Sequence, residues 1–373
     1  TEAGTAMLWG RAAGRCQCWG CNKPLWNSHV THEPVNLAQR AHIYAFSSGG
    51  PRGNDGIEPE KLNDIDNLML VCHGCHQTID KHKDGGRYPV ELLQQWKQAH
   101  ERRVEIVTGI DPSKKSHVVM YGANIGDNRS RLQFDEAAQA LFPHAHPADD
   151  RPIELNMINS VWTDKSAAFW EVEAEQLRTL FERLVRAPLG HGDIGHLSVF
   201  GLAPQPLLIL LGSLVTDIPS ADVYQLHREP QTWSWPEAAE PLDIQVVEPA
   251  THSGEPALVV ALSAEVTDDR ITYVLGDAAI WRVTVANPNT DLMKSREHLS
   301  QLRATIRPLL DRIKAIHGQN RVLHVFPVAG VSAAIDFGRV RMSKSQMPWQ
   351  IYDQVNARGG FVPALLLPSG DPS

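Results

Sequence analysis

Cysteine is absent beyond residue 75: all five, Cys16, Cys18, Cys21, Cys72 and Cys75, fall in the first fifth of a 373-residue chain. Such clustering excludes a disulfide framework spread through the molecule and points to metal ligation at one end. Long apolar runs are missing too. The richest, around Leu207 to Val215, is broken by Gly212 and Ser213 and falls short of the roughly 18 residues that a membrane span needs. No membrane partner is expected. Thr1 to Ala6 lack the basic start and apolar stretch of a secretory signal, so a cytoplasmic location is the expectation. Positive charge is scarce as well: residues 1–110 carry twelve Lys/Arg against twelve Asp/Glu, and the formal net charge of -8 belongs to the remainder. Neither region is a basic clamp, so one copy alone should hold nucleic acid weakly, and multivalency would have to supply what charge does not.

What is present suits two or three globular domains, with 42% hydrophobic and 21% charged residues. The chain reads as loop-rich to about Asp80, then as a helix from about Pro89 to Ile106 with Leu92, Leu93, Trp96 and Ala99 at helical spacing. Gly109, Asp111, Pro112 and Ser113 mark a linker at 111–116, separating a domain at 1–110 from one at 117–373. Beyond it the pattern is α/β. Apolar runs at Leu197 to Phe200, Ala257 to Leu262, Ile280 to Val285 and Val322 to Phe326 read as strands, and Asp291 to Ile316 as a helix. A weak echo links Ser198-Val199-Phe200-Gly201-Leu202-Ala203-Pro204 with His324-Val325-Phe326-Pro327-Val328-Ala329-Gly330, so two related halves, about 117–245 and 246–373, are expected.

Cys18-Trp19-Gly20-Cys21 and Cys72-His73-Gly74-Cys75 are two C-x-x-C knuckles, which together can offer zinc a tetrahedron of four thiolates. Cys16 competes with Cys18, but the tight pair matches the second knuckle and Cys18 is preferred. Such a zinc would be structural, because four thiolates leave it no open position. The roughly fifty residues between the knuckles exceed a zinc-finger loop, so another structure must be built there.

That segment holds Ala41-His42-Ile43, then Gly49-Gly50-Pro51-Arg52-Gly53, Asn63, and Asn67-Leu68-Met69-Leu70-Val71 running into Cys72-His73-Gly74-Cys75-His76. Over residues 15–85 the chain resembles the HNH endonucleases in every part and in order. The resemblance implies a zinc-braced ββα-metal domain that hydrolyses double-stranded DNA, with His42 as general base, His76 as ligand to a catalytic Mg2+ or Mn2+, and Asn67 orienting the site. Many HNH enzymes carry a second metal ligand just before the first His; Ala41 stands there, leaving Asp80, His73, water or DNA phosphate. His29, His32 and His82 have no such frame, and Lys81, Lys83 and Arg87 are equally readable as a phosphate contact or a solvated face.

In the second region Phe200-Gly201-Leu202-Ala203-Pro204-Gln205-Pro206-Leu207-Leu208-Ile209-Leu210-Leu211-Gly212, Asp222-Val223-Tyr224-Gln225-Leu226-His227-Arg228 and Trp233-Ser234-Trp235 resemble the first half of a SAVED domain. The segments His324 to Ala334, Phe337-Gly338-Arg339-Val340 and Ile351-Tyr352-Asp353 resemble the second. The resemblance implies two Rossmann-like (CARF-like) halves that sense a cyclic di- or trinucleotide second messenger, and a bacterial effector of CBASS antiphage defence that forms a homo-oligomer on activation. Stacking surfaces and phosphate donors are then expected at Tyr121, Asn124, Ile125, Trp170, Gln205, Tyr224 and Arg228, and from the second half at Ala329, Arg339 and Lys344. For Arg228 and Arg339 an internal ion pair competes with this reading, and for Trp233, Trp235 and Trp349 core packing does. Two rival functions are a restriction-type HNH nuclease with a DNA-reading C-terminal domain, which the acidic charge disfavours, and a non-catalytic zinc module, which has no need of His42.

Overall fold

In the computed structural model the N-terminal segment is built around a two-stranded sheet, with α1 (Glu2–Arg11) ahead of it. β1 (Ala38–His42) pairs antiparallel with β2 (Leu68–Cys72), placing His42 opposite Leu68 and Ala38 opposite Cys72. The structure describes residues 2–54, 56–82, 86–126, 132–156, 163–236, 239–355 and 360–370. β2 buries Leu68, Met69, Leu70 and Val71 together, as a strand covered on both faces does, and runs directly into α2 (His73–Ile79). The chain then enters α3 (Val90–Thr108), started by Pro89 in an extended conformation. The packed face of α3 is Val90, Leu93, Lys97 and His100, so Ala99 of the expected stripe is exposed. Polar contacts turn the helix: His100 bonds to the carbonyl of Ala12, and Lys97 pairs with Glu101.

The chain divides into two compact units at Asp111/Pro112. Among its described residues the second unit holds two larger sheets and one short hairpin. In the first, β3 (Lys115–Gly122), β4 (His146–Pro147), β5 (Ile153–Glu154), β6 (Leu197–Leu202) and β7 (Ala221–Val223) are all parallel, with β3 central. Parallel strands require crossovers. These carry α4 (Phe134–Leu141), α5 (Ala167–Phe181), a π-turn at Glu182–Arg186, α6 (Ala187–His191) and α7 (Gln205–Val215). A short hairpin, β8 (His227–Arg228) and β9 (Gln231–Thr232), follows.

The second sheet contains β10 (Ile244–Val247), β11 (Glu255–Ala261), β12 (Ala278–Val285), β13 (Leu323–Val328), β14 (Trp349–Val355) and β15 (Gly360–Leu367), in the order β10-β12-β11-β13-β14-β15. Only the edge strands β10 and β15 are antiparallel to their neighbours. Its helices are α8 (Asp268–Leu275), α9 (Arg296–His317) and α10 (Val331–Arg339). The helix expected from Asp291 begins instead after Ser295, whose hydroxyl accepts from the backbone N–H of His298. The halves join where α7 and α10 cross. A Cβ on Gly212 would lie 1.9 Å from the carbonyl oxygen of Ile335, and one on Gly338 would lie 2.1 Å from that of Ile209. Two helices that follow equivalent strands, β6 and β13, therefore touch backbone to backbone, and the sequence echo marks the two strand–helix units.

Candidate functional site

Four thiols converge at the base of the β1–β2 pair. The Sγ atoms of Cys16, Cys21, Cys72 and Cys75 all lie within 4.8 Å of one another, the one group of three or more ligand side chains among the described residues. Cys21 and Cys72 Sγ are 3.9 Å apart. Zn–S bonds of about 2.3 Å in a tetrahedron place sulfurs about 3.8 Å apart, so the donor set fits zinc. Cys18, preferred from its spacing, is not in this group, and Cys16 takes its place. The cause lies in the backbone: Gln17 docks on β2, its N–H donating to Leu70 O at 2.9 Å and its Oε1 accepting from Leu70 N at 2.7 Å. This sets Cys16 beside Cys72, whose N–H points at Cys16 Sγ at 3.3 Å. Cys18 is buried beside them. Hydrogen bonding from Cys18 pulls the Cys16 thiol down, while burial and the Cys16 charge push Cys75 up.

His42 ends β1. Its Nε2 lies 3.2 Å from Asn63 Oδ1, and since that oxygen can only accept, Nε2 carries the proton and Nδ1 keeps its lone pair. His76 is held likewise, its Nδ1 donating to Gln39 Oε1 at 2.7 Å, which turns Nε2 towards Asp80. That nitrogen is 3.2 Å from Asp80 Oδ2. Ligands in adjacent positions on an octahedral ion with bonds of about 2.1 Å are separated by about 3 Å, so His76 and Asp80 fit as a pair for Mg2+ or Mn2+. Of the two stand-ins for Ala41, Asp80 is placed beside His76, whereas His73 Nδ1 accepts from Gln39 Nε2. Burial alone would raise the Asp80 carboxyl, but hydrogen bonds from His76 and Arg52 and the Arg52 charge hold it below its ordinary value.

Arg52 ties the site together. Its buried guanidinium donates to His42 O at 2.9 Å, Ile43 O at 2.6 Å, Ile79 O at 3.0 Å and Asp80 Oδ1 at 2.8 Å. The segment carrying His42 and the end of the helix carrying His76 are thus fixed to one cation. Asn67 is buried, and its amide is spent on Tyr44 and Leu62 backbone. It braces the segment after His42. Gln39, Arg52 and the role of Asn63 carry no signal of their own in the sequence; only the glycine pair before Arg52 hints at a tight loop. His29, His32, His82, Lys81 and Arg87 are exposed, and Lys83 lies outside the described residues.

In the second unit a cleft of about 420 Å³ opens at the C-terminal ends of β6 and β13, between the two halves. Gln205, Arg228 and Ala329 line it, and Ala329 N–H donates to Gln205 Oε1 at 3.0 Å. α7 starts at Gln205 and α10 at Val331, so both helix N-termini face the cleft. Gln225, His227, Ser263 and Thr290 also line it, unforeseen. Gln225 Oε1 accepts from Ser332 N and Oγ, at 3.1 and 2.7 Å, and fixes the start of α10. Burial lowers the His227 pKa, although Asp291, 3.2 Å from its Nδ1, opposes this.

The other expected ligand contacts do not line this cleft. Tyr121 is fully buried, and its hydroxyl finds no partner among the described residues; burial and then Glu173 push the phenol well up. Trp170 packs edge-on against Phe169, and Tyr224 stacks on Phe200 at 4.4 Å. Arg339 forms the internal ion pair, 3.3 Å from Asp336, and donates to Thr216 and Ala221 carbonyls. The three rings fill the core because apolar packing stabilises a large ring more than solvent contact does, and Arg339 is buried because Asp336 and the two carbonyls satisfy its guanidinium. Ile125 and Lys344 are exposed and Asn124 half-buried, away from the cleft. Trp233 and Trp349 are buried and Trp235 half-buried. Ser116, His196 and Asp222 stand in triad order, at 2.8 and 4.0 Å, but Ser116 is wholly buried and bonded to Ser198 Oγ, so they form a core network.

In paired α/β units a cleft at the carboxyl ends of the strands is where small molecules bind. Residues 177–367, just over half of the chain, match the SMODS-associated and fused to various effectors sensor domain (SAVED), and the chain belongs to that family. No protein of curated function matches it. Among solved structures it is similar, at 12% identity, to the Acinetobacter baumannii Cap4 SAVED/CARF-domain containing receptor with the cyclic trinucleotide 2'3'3'-cAAA, with a TM-score of 0.44 over 75% of this chain and 56% of that one. The same receptor with 3'3'3'-cAAA gives 12% identity and a TM-score of 0.43 over 79% and 64%, and Moraxella osloensis Cap4 gives 12% and 0.40 over 79% and 63%. The chain therefore spans less than two thirds of those receptors. No helix among the described residues is long and apolar enough to cross a membrane.

Proposed function

We propose that the chain is a DNA endonuclease switched on by a cyclic oligonucleotide, acting in antiphage defence. The observation that carries the nuclease reading is the joint anchoring of the His42 and His76 segments by Arg52 and Asp80, next to a four-thiol cluster. His42 Nδ1 takes a proton from the attacking water, while Asn63 holds the imidazole in the right tautomer. His76 and Asp80 would hold the Mg2+ or Mn2+, which when bound offsets charge developing on the phosphorane-like transition state. Cys16, Cys21, Cys72 and Cys75 would hold zinc as a structural brace.

The sensing reading rests on membership of the SAVED family and on the cleft's chemistry. The N-termini of α7 and α10 turn their positive dipole ends towards phosphates, although Pro206 has no N–H and the Ser332 N–H is taken by Gln225; Arg228 adds a fork of donors, and Gln205, Ser263 and Thr290 can meet base edges. Ligand binding would favour a homo-oligomer in which several charge-neutral nuclease units share one double-stranded DNA, raising the phosphate contacts per particle. The test is plasmid cleavage by wild-type and His42→Ala protein with Mg2+ or Mn2+ and a panel of cyclic di- and trinucleotides. Cleavage by wild type with one ligand and loss in His42→Ala is expected; equal cleavage by both contradicts the mechanism.

A further inference from the structure

Phe46 is a large apolar side chain left 60% exposed beside the proposed general base, its ring centroid 5.7 Å from that of His42 with the planes at 51°. A lone exposed Phe is ordinary on a protein surface. This one is held out by its loop. Ala45 N–H donates to Gly53 O at 3.0 Å, and Asn54 Nδ2 donates to the carbonyl of Phe46 itself at 3.1 Å, closing the loop on either side of the ring. Gly50 passes so near that a Cβ there would meet Ala45 Cβ at 2.6 Å. Arg52, at the left-handed φ of +68°, binds the carbonyls of His42 and Ile43 from beneath. A non-glycine residue in that conformation persists only where its surroundings fix it. The backbone that carries the ring is therefore fixed relative to the strand that ends in His42, and the ring rests 5.7 Å from the imidazole.

An affinity problem accompanies this geometry. Residues 1–110 are charge-neutral, so phosphate neutralisation contributes little, and a contact independent of charge is needed. Stacking of bases on aromatic rings is such a contact and tolerates any sequence. Successive nucleotides of a strand are about 3.4 Å apart along the axis, so a ring at this distance from the base reaches the nucleotide flanking the scissile phosphate. Building on the nuclease reading, the geometry points to Phe46 as a DNA-stacking residue that inserts against the nucleobase next to the scissile phosphate and sets how deeply the strand sits over His42. An inserted apolar wedge unstacks the base step it enters.

The experiment uses the full chain, the cyclic di- or trinucleotide from the panel that elicits plasmid cleavage, and duplexes with 2-aminopurine placed at successive positions around a mapped cut. Binding is read with Ca2+ and cleavage with Mg2+. Wild type should change the 2-aminopurine fluorescence at one position flanking the cut, and Phe46→Ala should lose that change while its unfolding temperature stays the same. kcat/KM should fall about 10–100-fold in Phe46→Ala, mostly through KM, and Phe46→Trp should recover most of it. Phe46→Ala cleaving within about twofold of wild type, or keeping the flanking signal, overturns the inference and leaves the nuclease reading standing. A loss traced to altered oligomer mass with the signal retained overturns it too. Wild type that neither binds nor cuts DNA with any ligand overturns both.

Discussion

The side-chain amide of Asn67 meets the backbone of Tyr44 as a neighbouring strand would: Oδ1 accepts from Tyr44 N at 2.8 Å, and Nδ2 donates to Tyr44 O at 3.0 Å. A further bond from Nδ2 reaches Leu62 O at 2.9 Å. Where β1 stops pairing after His42, one amide continues the ladder and hands the chain to the loop that carries Phe46 and Arg52.

Asn67→Ala should therefore act through position. It leaves the Tyr44 amide and two carbonyls without partners in a largely buried place, a cost of about 2–4 kcal/mol to the N-terminal unit. Thermal unfolding should show the N-terminal transition falling with the C-terminal one unmoved, and cleavage should drop even below the new midpoint. Asn67→Asp, which keeps the acceptor and loses the donor, should fall between. Unchanged stability in Asn67→Ala would contradict the brace.

The thiol cluster separates two assignments that spacing alone left competing. Cys16→Ser, Cys21→Ser, Cys72→Ser and Cys75→Ser should each lose zinc and unfold the N-terminal unit, since structural zinc binding is folding free energy there. Cys18→Ser should keep one zinc per chain. Elemental analysis and N-terminal melting decide it, and zinc lost from Cys18→Ser but retained by Cys16→Ser would reverse the assignment.

Asp353 on β14 makes the C-terminal unit sensitive to pH. Burial, and then the charge of Asp164, push its carboxyl up to about 7 against a backbone hydrogen bond that lowers it. Its folded pKa lies above the unfolded value of about 3.9, so the folded state is favoured below about pH 4 and loses that stability as pH rises through about 7. Asp353→Asn should gain about 1–3 kcal/mol at pH 8, or roughly 2–8 °C in Tm, and almost nothing at pH 4. An equal gain at both pH values would remove the electrostatic cause.

The crossing of α7 and α10 has no room for a side chain. Gly338→Ala would set a methyl 2.1 Å from Ile209 O, so the halves must separate and the cleft between them must widen. More than about 3 kcal/mol of lost stability is expected, with weaker ligand binding. A variant with wild-type Tm would show that the helices slide freely.

The sequence made some of this legible and hid the rest for physical reasons. Strands such as β11 and β13 announce themselves as continuous apolar runs because both faces are covered, and the echo around Phe200 and Phe326 marked two helices that prove to touch. The choice of Cys16 over Cys18 was invisible because it is made by Gln17 docking on Leu70, a contact across the chain. Arg52 and Gln39 were invisible likewise, since each acts only once a loop or helix has closed upon it. Among the expected ligand contacts Gln205, Arg228 and Ala329 line the cleft, whereas Tyr121, Trp170 and Tyr224 are core. A sequence marks an aromatic residue without saying which way its strand or helix faces.

In the proposed function a small ligand in the C-terminal cleft switches on a nuclease at the N-terminus. The most direct measurement follows particle mass and plasmid degradation together across a concentration series of each cyclic di- and trinucleotide, with Mg2+ or Mn2+. A shift from about 1% to 99% active requires the ligand to favour the active state by roughly 5.5 kcal/mol, so the response should be steep and specific to one ligand. Near-silence is expected without ligand, and mass and cleavage should rise together with a matching one. Arg228→Ala should move both curves to higher concentration without lowering the plateau. Full cleavage without ligand, or ligand-driven cleavage at constant mass, would contradict it.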